Sequence, residues 1–77
     1  MLNEHDINDL LAEKKEFLYN LKRQEQFTIP GVMNFEGKTE VFTFVKIDGM
    51  CCICNYQDSQ GNTMQEYINA GTVVYRV

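Results

Sequence analysis

The sequence predicts a mainly β protein with one N-terminal α-helix, followed by five short, bent antiparallel strands that curl into a small barrel or a strongly bent sheet. Three observations predict it. Apolar residues recur at helical spacing only as far as about residue 24 and alternate with polar ones beyond it. The five glycines and the single proline all fall at breaks between apolar runs. Finally, 77 residues is about half of the ~150 that serve as a prior for one domain, so residues 1–77 read as a single domain without a linker. An apolar content of 44% places the chain among globular rather than disordered sequences.

On a helical wheel Ile7, Leu10, Leu11, Phe17, Leu18 and Leu21 fall within an arc of about 120°, which predicts a helix over about 6–24 with one buried stripe. Asp6 is a plausible N-cap, and early acids with late Lys22 and Arg23 match the helix dipole. Lys14 lies inside the stripe and would run its methylenes along apolar surface. On such a helix Asp9, Glu13 and Glu16 share the outward face, while Lys15, Tyr19 and Lys22 line one edge with Arg23 a little further round. That edge is either part of an ordinary solvated face or a small basic and aromatic rim.

After Gln26 the period becomes two. Pro30 and Gly31 interrupt the run that starts at Phe27 and predict a turn or bulge. Val32 to Phe35 reads as a short strand, and Thr39 to Ile47 as a longer one, with Val41, Thr43, Val45 and Ile47 on one face and Phe42, Phe44 and Lys46 on the other. Asp48-Gly49 is a two-residue hairpin signal leading into Met50 to Tyr56. The polar turn Asp58 to Asn62 precedes a fourth strand, Thr63 to Asn69, and Ala70-Gly71 connects it to a fifth, Thr72 to Val77.

The chain carries seven Lys and Arg against eleven Asp and Glu, a net charge of -4, which excludes a general DNA-binding surface and leaves room only for a small cationic patch. The longest stretch without a formal charge, residues 49–57, is far short of the ~20 apolar residues of a membrane span. Met1 to Asp6 offers neither a basic nor an apolar signal region, so a cytoplasmic protein with no membrane partner is expected. Cys51, Cys52 and Cys54 crowd together without a second cluster and with a single distant His5, which points to small core residues rather than a disulfide framework, a metal site or a nucleophile. No phosphate loop, dinucleotide fingerprint or nucleophile elbow is present, and a domain this small has little room for a pocket of ~300 Å³ or more. Neither an enzyme nor a cofactor is expected.

The order of elements and several local stretches resemble the Sm-like fold, in particular its bacterial branch, the RNA chaperone Hfq. The residues that carry the resemblance are Phe17-Leu18-Tyr19-Asn20-Leu21-Lys22-Arg23, Ile47-Asp48-Gly49-Met50-Cys51-Cys52-Ile53-Cys54, Ser59-Gln60-Gly61, and Tyr67-Ile68-Asn69-Ala70-Gly71-Thr72-Val73-Val74. The resemblance implies an Sm-like or SH3-like small barrel and a homo-oligomeric ring in which the fourth strand of one subunit pairs with the fifth of the next. It also implies a basic lateral rim at Lys22 and Arg23, to which Lys15 and Tyr19 are added as RNA-binding candidates. The positions equivalent to the family's uridine pore are Ile47, Asp48, Tyr67 and Asn69; Ile47 stands where a stacking aromatic is usual and Ile68-Asn69 where a Lys-His pair is usual, so pore-type recognition is expected to be absent or poor.

Two functions are therefore expected. One is a divergent ring-forming protein that binds single-stranded RNA without catalysis. The alternative is a small acidic module, of the phage-inhibitor or immunity-protein kind, that binds a basic protein through Asp9, Glu13 and Glu16 or through a Phe42/Phe44 face.

Overall fold

A computed structural model of the chain describes residues 14–77, which form six antiparallel strands in one open sheet: β1 (Lys15–Phe17), β2 (Gln26–Met33), β3 (Thr39–Asp48), β4 (Cys51–Gln57), β5 (Thr63–Asn69) and β6 (Val73–Arg76). The spatial order is β1-β6-β2-β3-β4-β5, so β6 crosses back between β1 and β2, and β1 and β5 remain as the two edges.

This corrects the expected fold class. The expected helix over about 6–24 does not form across its described part: Lys15–Phe17 is a strand, Leu18–Asn20 a single 3₁₀ turn, and no longer helix occurs among the described residues. Its first half, including Asp6, Ile7, Leu10 and Leu11, lies outside the described residues. The physical reason is visible at β6. A four-residue strand has peptide groups on both sides, and those groups need partners. β2 supplies one side through Phe27↔Arg76 and Thr28↔Tyr75, and β1 the other through Lys15↔Tyr75, Glu16↔Val74 and Phe17↔Val73. The pairing continues as Leu18 N donates to Thr72 O at 2.9 Å and Tyr19 N to Ala70 O at 3.0 Å. Leu18 and Leu21 still reach the core, but Phe17, from the same helical stripe, is 45% exposed. The small barrel is likewise replaced by an open sheet, because among the described residues the order ends in two edge strands, β1 and β5.

Two irregularities set which side chains face the core. In β3 the register against β4 shifts between Phe44↔Cys54 and Lys46↔Ile53, leaving Val45 as an extra residue. The shift exchanges the faces downstream. Ile47 thus shares the side of Phe44, and Lys46 that of Thr43, the reverse of simple alternation. In β2 the register shifts between Thr28 and Met33, where Pro30 and Gly31 lie and Gly31 takes φ 83°, so the predicted break becomes a bulge inside a longer strand. The β3–β4 hairpin loop is Gly49-Met50, with Asp48 paired to Cys51. Gly49 at φ 65° fits the first loop position of a type II′ turn, one residue later than the Asp48-Gly49 signal suggested.

The core consists of Leu18, Leu21, Phe27, Phe42, Phe44, Cys52, Cys54 and Val74. Phe27 is fully buried and stacks on Phe42 with ring centroids 5.5 Å apart, while Tyr56 meets Phe42 edge-on at 5.6 Å. Phe42 and Phe44 are buried at 6% and 4% exposure, which removes the Phe42/Phe44 face as a docking surface. The three cysteines are free thiols. Burial, followed by the charges of Cys52 and Glu66, pushes the Cys54 thiol up to about 12, and burial raises that of Cys52 as well.

Phe27→Ala is expected to cost about 3–5 kcal/mol in a denaturant titration, the range for emptying a packed aromatic site. Thiol labelling at pH 8 is expected to modify the half-buried Cys51 quickly and to reach Cys52 and Cys54 only with global unfolding; rapid labelling of all three would contradict this packing.

Candidate functional site

The acidic net charge is unevenly distributed. Residues 14–77 hold seven bases (Lys14, Lys15, Lys22, Arg23, Lys38, Lys46 and Arg76) and seven acids (Glu16, Glu25, Glu36, Glu40, Asp48, Asp58 and Glu66), so the sheet itself is neutral; the remaining four acids lie at Glu4, Asp6, Asp9 and Glu13. Five of the seven bases belong to residues 14–25 and to β6, where the only acids are Glu16 and Glu25.

Both of those acids are held by one arginine. Arg76 Nη2 lies 3.5 Å from Glu16 Oε2, and Arg76 Nε donates to Glu25 Oε2 at 3.1 Å. One guanidinium thus reaches both ends of the Glu16–Glu25 segment, which starts at the β1 edge with Lys15 and ends beside β3, where Gln24 N donates to Phe44 O at 2.9 Å and Phe44 N to Glu25 O at 2.8 Å, with Lys22 and Arg23 just before that end. The second oxygens of the acids are committed locally: Glu16 Oε1 accepts from Phe17 N at 2.9 Å and Asn20 Nδ2 at 2.8 Å, and Glu25 Oε1 accepts from Lys22 N at 2.8 Å. The Asn20 and Phe17 hydrogen bonds, with Arg76 adding to them, hold the Glu16 carboxyl below its usual range. The turn that presents Lys22 and Arg23 is closed by Glu25 N donating to Lys22 O at 3.0 Å, with Gln24 in the left-handed region at φ 74°.

Between these bases stand two exposed aromatics. Phe17 and Tyr19 are stacked, with centroids 5.5 Å apart and planes 6° from parallel, and they are 45% and 47% exposed. Lys15, Tyr19, Lys22 and Arg23 are all exposed and all belong to the segment that leads from the β1 edge to β2, on a strand, a 3₁₀ turn and a loop rather than along a helix edge. Phe17 is the member that sequence reasoning missed, because the helical wheel assigned it to the core. Asp9 and Glu13 of the expected acidic face lie outside the described residues, and Glu16 is bonded to Arg76 and Asn20.

The pore-equivalent residues lie on β3 and β5, with Asn69 next to Ala70, whose carbonyl accepts from Tyr19 N. Ile47 and Asp48 end β3, and Tyr67 and Asn69 belong to the edge strand β5; Tyr67 is 58% and Ile47 51% exposed. Ile47 falls on the core side and Asp48, Tyr67 and Asn69 on the opposite side by their pairing with Cys52, Cys51, Ile53 and Cys51 respectively. They do not form a single cluster on one face. The ring contact implied by the family resemblance would join β5 to β6 of a neighbour, and both sides of β6 are already paired, to β1 and β2.

Two open grooves exceed the volume expected of so small a domain. One, of about 690 Å³, includes Gln24, Gln26, Thr43, Asn55, Gln57 and Thr63 in its largely amide and hydroxyl lining. The other, of about 350 Å³, is lined by Ile29, Val32, Met33, Glu40, Phe42, Tyr56, Glu66 and Ile68. Among the described residues no group of three or more His, Cys, Asp or Glu side chains is placed to hold a metal, and no helix is long and apolar enough to cross a membrane. Compared with models of known protein families, with curated proteins and with solved structures, the chain finds no match.

The acid limb of stability follows from two carboxylates. Glu16 and Asp58 are both held below their usual range, Asp58 by backbone N–H groups of Asn62 and Gln60. A lowered folded-state value means that the stabilisation is complete above the ordinary carboxylate range and is lost as pH falls through the lowered value. The melting temperature is expected to hold from neutral pH to about 5 and to decline below about 4, with a shallower decline in Asp58→Ala. An acid slope that the substitution leaves unchanged would contradict this assignment.

Proposed function

We propose that the chain is a non-enzymatic, single-stranded RNA-binding module whose contact surface is the rim of Lys15, Phe17, Tyr19, Lys22 and Arg23. The observation that carries the reading is the exposed Phe17–Tyr19 stack within a segment that also carries Lys15, Lys22 and Arg23 and whose acids, Glu16 and Glu25, both pair with Arg76. Single strands are bound without strong sequence preference by aromatic faces on which bases stack and by cations that follow the phosphates, and this rim offers both. Its local charge is positive within a neutral sheet, and screening over about 8 Å at physiological salt confines the repulsion from distant acids. The similarity of residues 17–23 to the basic rim of the Hfq-like family supports the same choice. A uridine pore is not part of the proposal, because Ile47, Ile68 and Asn69 supply neither a stacking ring nor a cation.

Fluorescence anisotropy with a labelled single-stranded RNA of ten to twelve nucleotides tests it. With about three phosphates neutralised, log affinity is expected to fall against log salt with a slope of about -2, and Lys22→Ala with Arg23→Ala is expected to remove about 1.4 of that slope. Tyr19→Ala is expected to weaken binding by about 1–3 kcal/mol while leaving the slope unchanged. Arg76→Ala is expected to weaken binding as well, by uncovering Glu16 and Glu25. Wild-type binding by the Lys22/Arg23 double variant, or no binding by the wild type at low salt, would refute the proposal.

A further inference from the structure

We propose that the opposite edge of the sheet, β5, is an acceptor for an extended strand of another protein that presents an apolar, a cationic and an apolar side chain at alternate positions. The inference concerns a second surface and goes beyond the RNA reading.

The edge itself is the first observation. β5 pairs with β4 over all seven residues, Thr63↔Gln57 to Asn69↔Cys51, without a register shift. It contains no Lys, no Pro and no bulge, and its one charge is the groove-side Glu66, which blunts the edge against acidic or self pairing and leaves it open to a cationic strand; the other edge, β1, is only three residues long among the described residues. Past the end of the β4–β5 ladder, Ala70 N donates to Met50 O of the β3–β4 hairpin loop at 2.9 Å. Antiparallel pairs alternate between bonded and unbonded, so Ile68, Glu66 and Met64 turn their peptide groups towards β4, and Tyr67, Gln65 and Thr63 turn theirs outward. The outward row is a template for strand addition.

The groove on the core side supplies the second observation. Strand pairing puts Met64, Glu66 and Ile68 on that side, opposite Tyr56, Cys54 and Cys52. The 350 Å³ groove reaches from the β2 bulge to Glu66 and Ile68; its lining is apolar except for two carboxylates, Glu40 and Glu66, and it includes no basic residue. An added strand would set its own groove-side residues against Met64, Glu66 and Ile68, which selects an apolar, cationic, apolar sequence.

Charge also argues against a second copy as the occupant. Glu66 is the middle residue of Thr63–Asn69, so a full two-fold pairing of β5 with its copy places Glu66 directly against Glu66 of the copy, and like charges directly opposite are destabilising. The same residue favours a strand with Lys or Arg at that position.

The probe is a labelled seven-residue peptide, Thr-Leu-Thr-Lys-Thr-Leu-Thr, titrated into the full chain and followed by anisotropy. It is expected to bind at least tenfold more tightly than the version with Glu in place of Lys, and Glu66→Lys is expected to reverse that preference. Gln65→Pro removes one outward N–H at a tolerated edge position and is expected to abolish binding. Should that variant not fold, the wild-type chain with a peptide N-methylated at alternate amides gives the same readout, with loss of binding expected. Equal binding of the Lys and Glu peptides, undiminished binding of the methylated peptide, displacement of the peptide by the RNA used above, or a chain that dimerises through β5 instead would each overturn the assignment.

Discussion

The backbone pairing of Lys15–Phe17 with Val73–Tyr75 is the contact on which the rest of the structure depends. It gives β6 a partner on its free side, fixes β1 as a sheet edge and carries Leu18 into the core beside Val74. Arg76 reinforces it by bridging Glu16 in β1 to Glu25 just before β2, so that the beginning and the end of the described chain are held by one half-exposed side chain. Ion pairs at such exposure contribute modestly to stability. Their larger effect here is on charge distribution, because the same bridge neutralises the only acids beside four other bases.

A consequence is a sheet with two different edges. The β1 edge is short, with Lys15 and Phe17 exposed; the β5 edge is long and regular and carries Glu66, which with Glu40 of β3 lines the adjoining groove. The neutral sum of residues 14–77 therefore combines a segment rich in bases, residues 14–25, with a groove whose only charged lining residues are Glu40 and Glu66, and the net charge of the whole chain says little about either. A segment with several cations and an exposed aromatic stack suits a flexible polyanion, while a long regular edge with one groove-side carboxylate beside an apolar groove suits an extended polypeptide.

Most strand positions were legible in the sequence, because Thr39–Asp48, Cys51–Gln57 and Thr63–Asn69 are short runs carrying β-branched, aromatic and other apolar residues, separated by Gly and Asx turns. The helical reading fails over residues 15–24 for a physical reason: Leu18 and Leu21 satisfy helical spacing, and the competing requirement, the unpaired side of β6, lies more than fifty residues away along the chain. Alternation was also misleading beyond Phe44, since the extra residue Val45 reverses the faces of Lys46 and Ile47 and nothing local announces it. Of the rim, the basic residues were readable from residue type and the role of Phe17 was not, because a wheel assigns it to the core while the strand turns it outward. Arg76 as the clamp of Glu16 and Glu25 depends wholly on long-range pairing, and β5 as an edge depends on the crossing of β6.

The conformation of residues 15–23 decides between this account and a helical alternative, and nuclear magnetic resonance of the isotope-labelled chain measures it directly. The account predicts strand-type Cα shifts at Lys15, Glu16 and Phe17, with cross-strand contacts from Lys15 to Tyr75 and from Phe17 to Val73. Helical Cα shifts over 15–23, with contacts between residues three apart and none to β6, would contradict it.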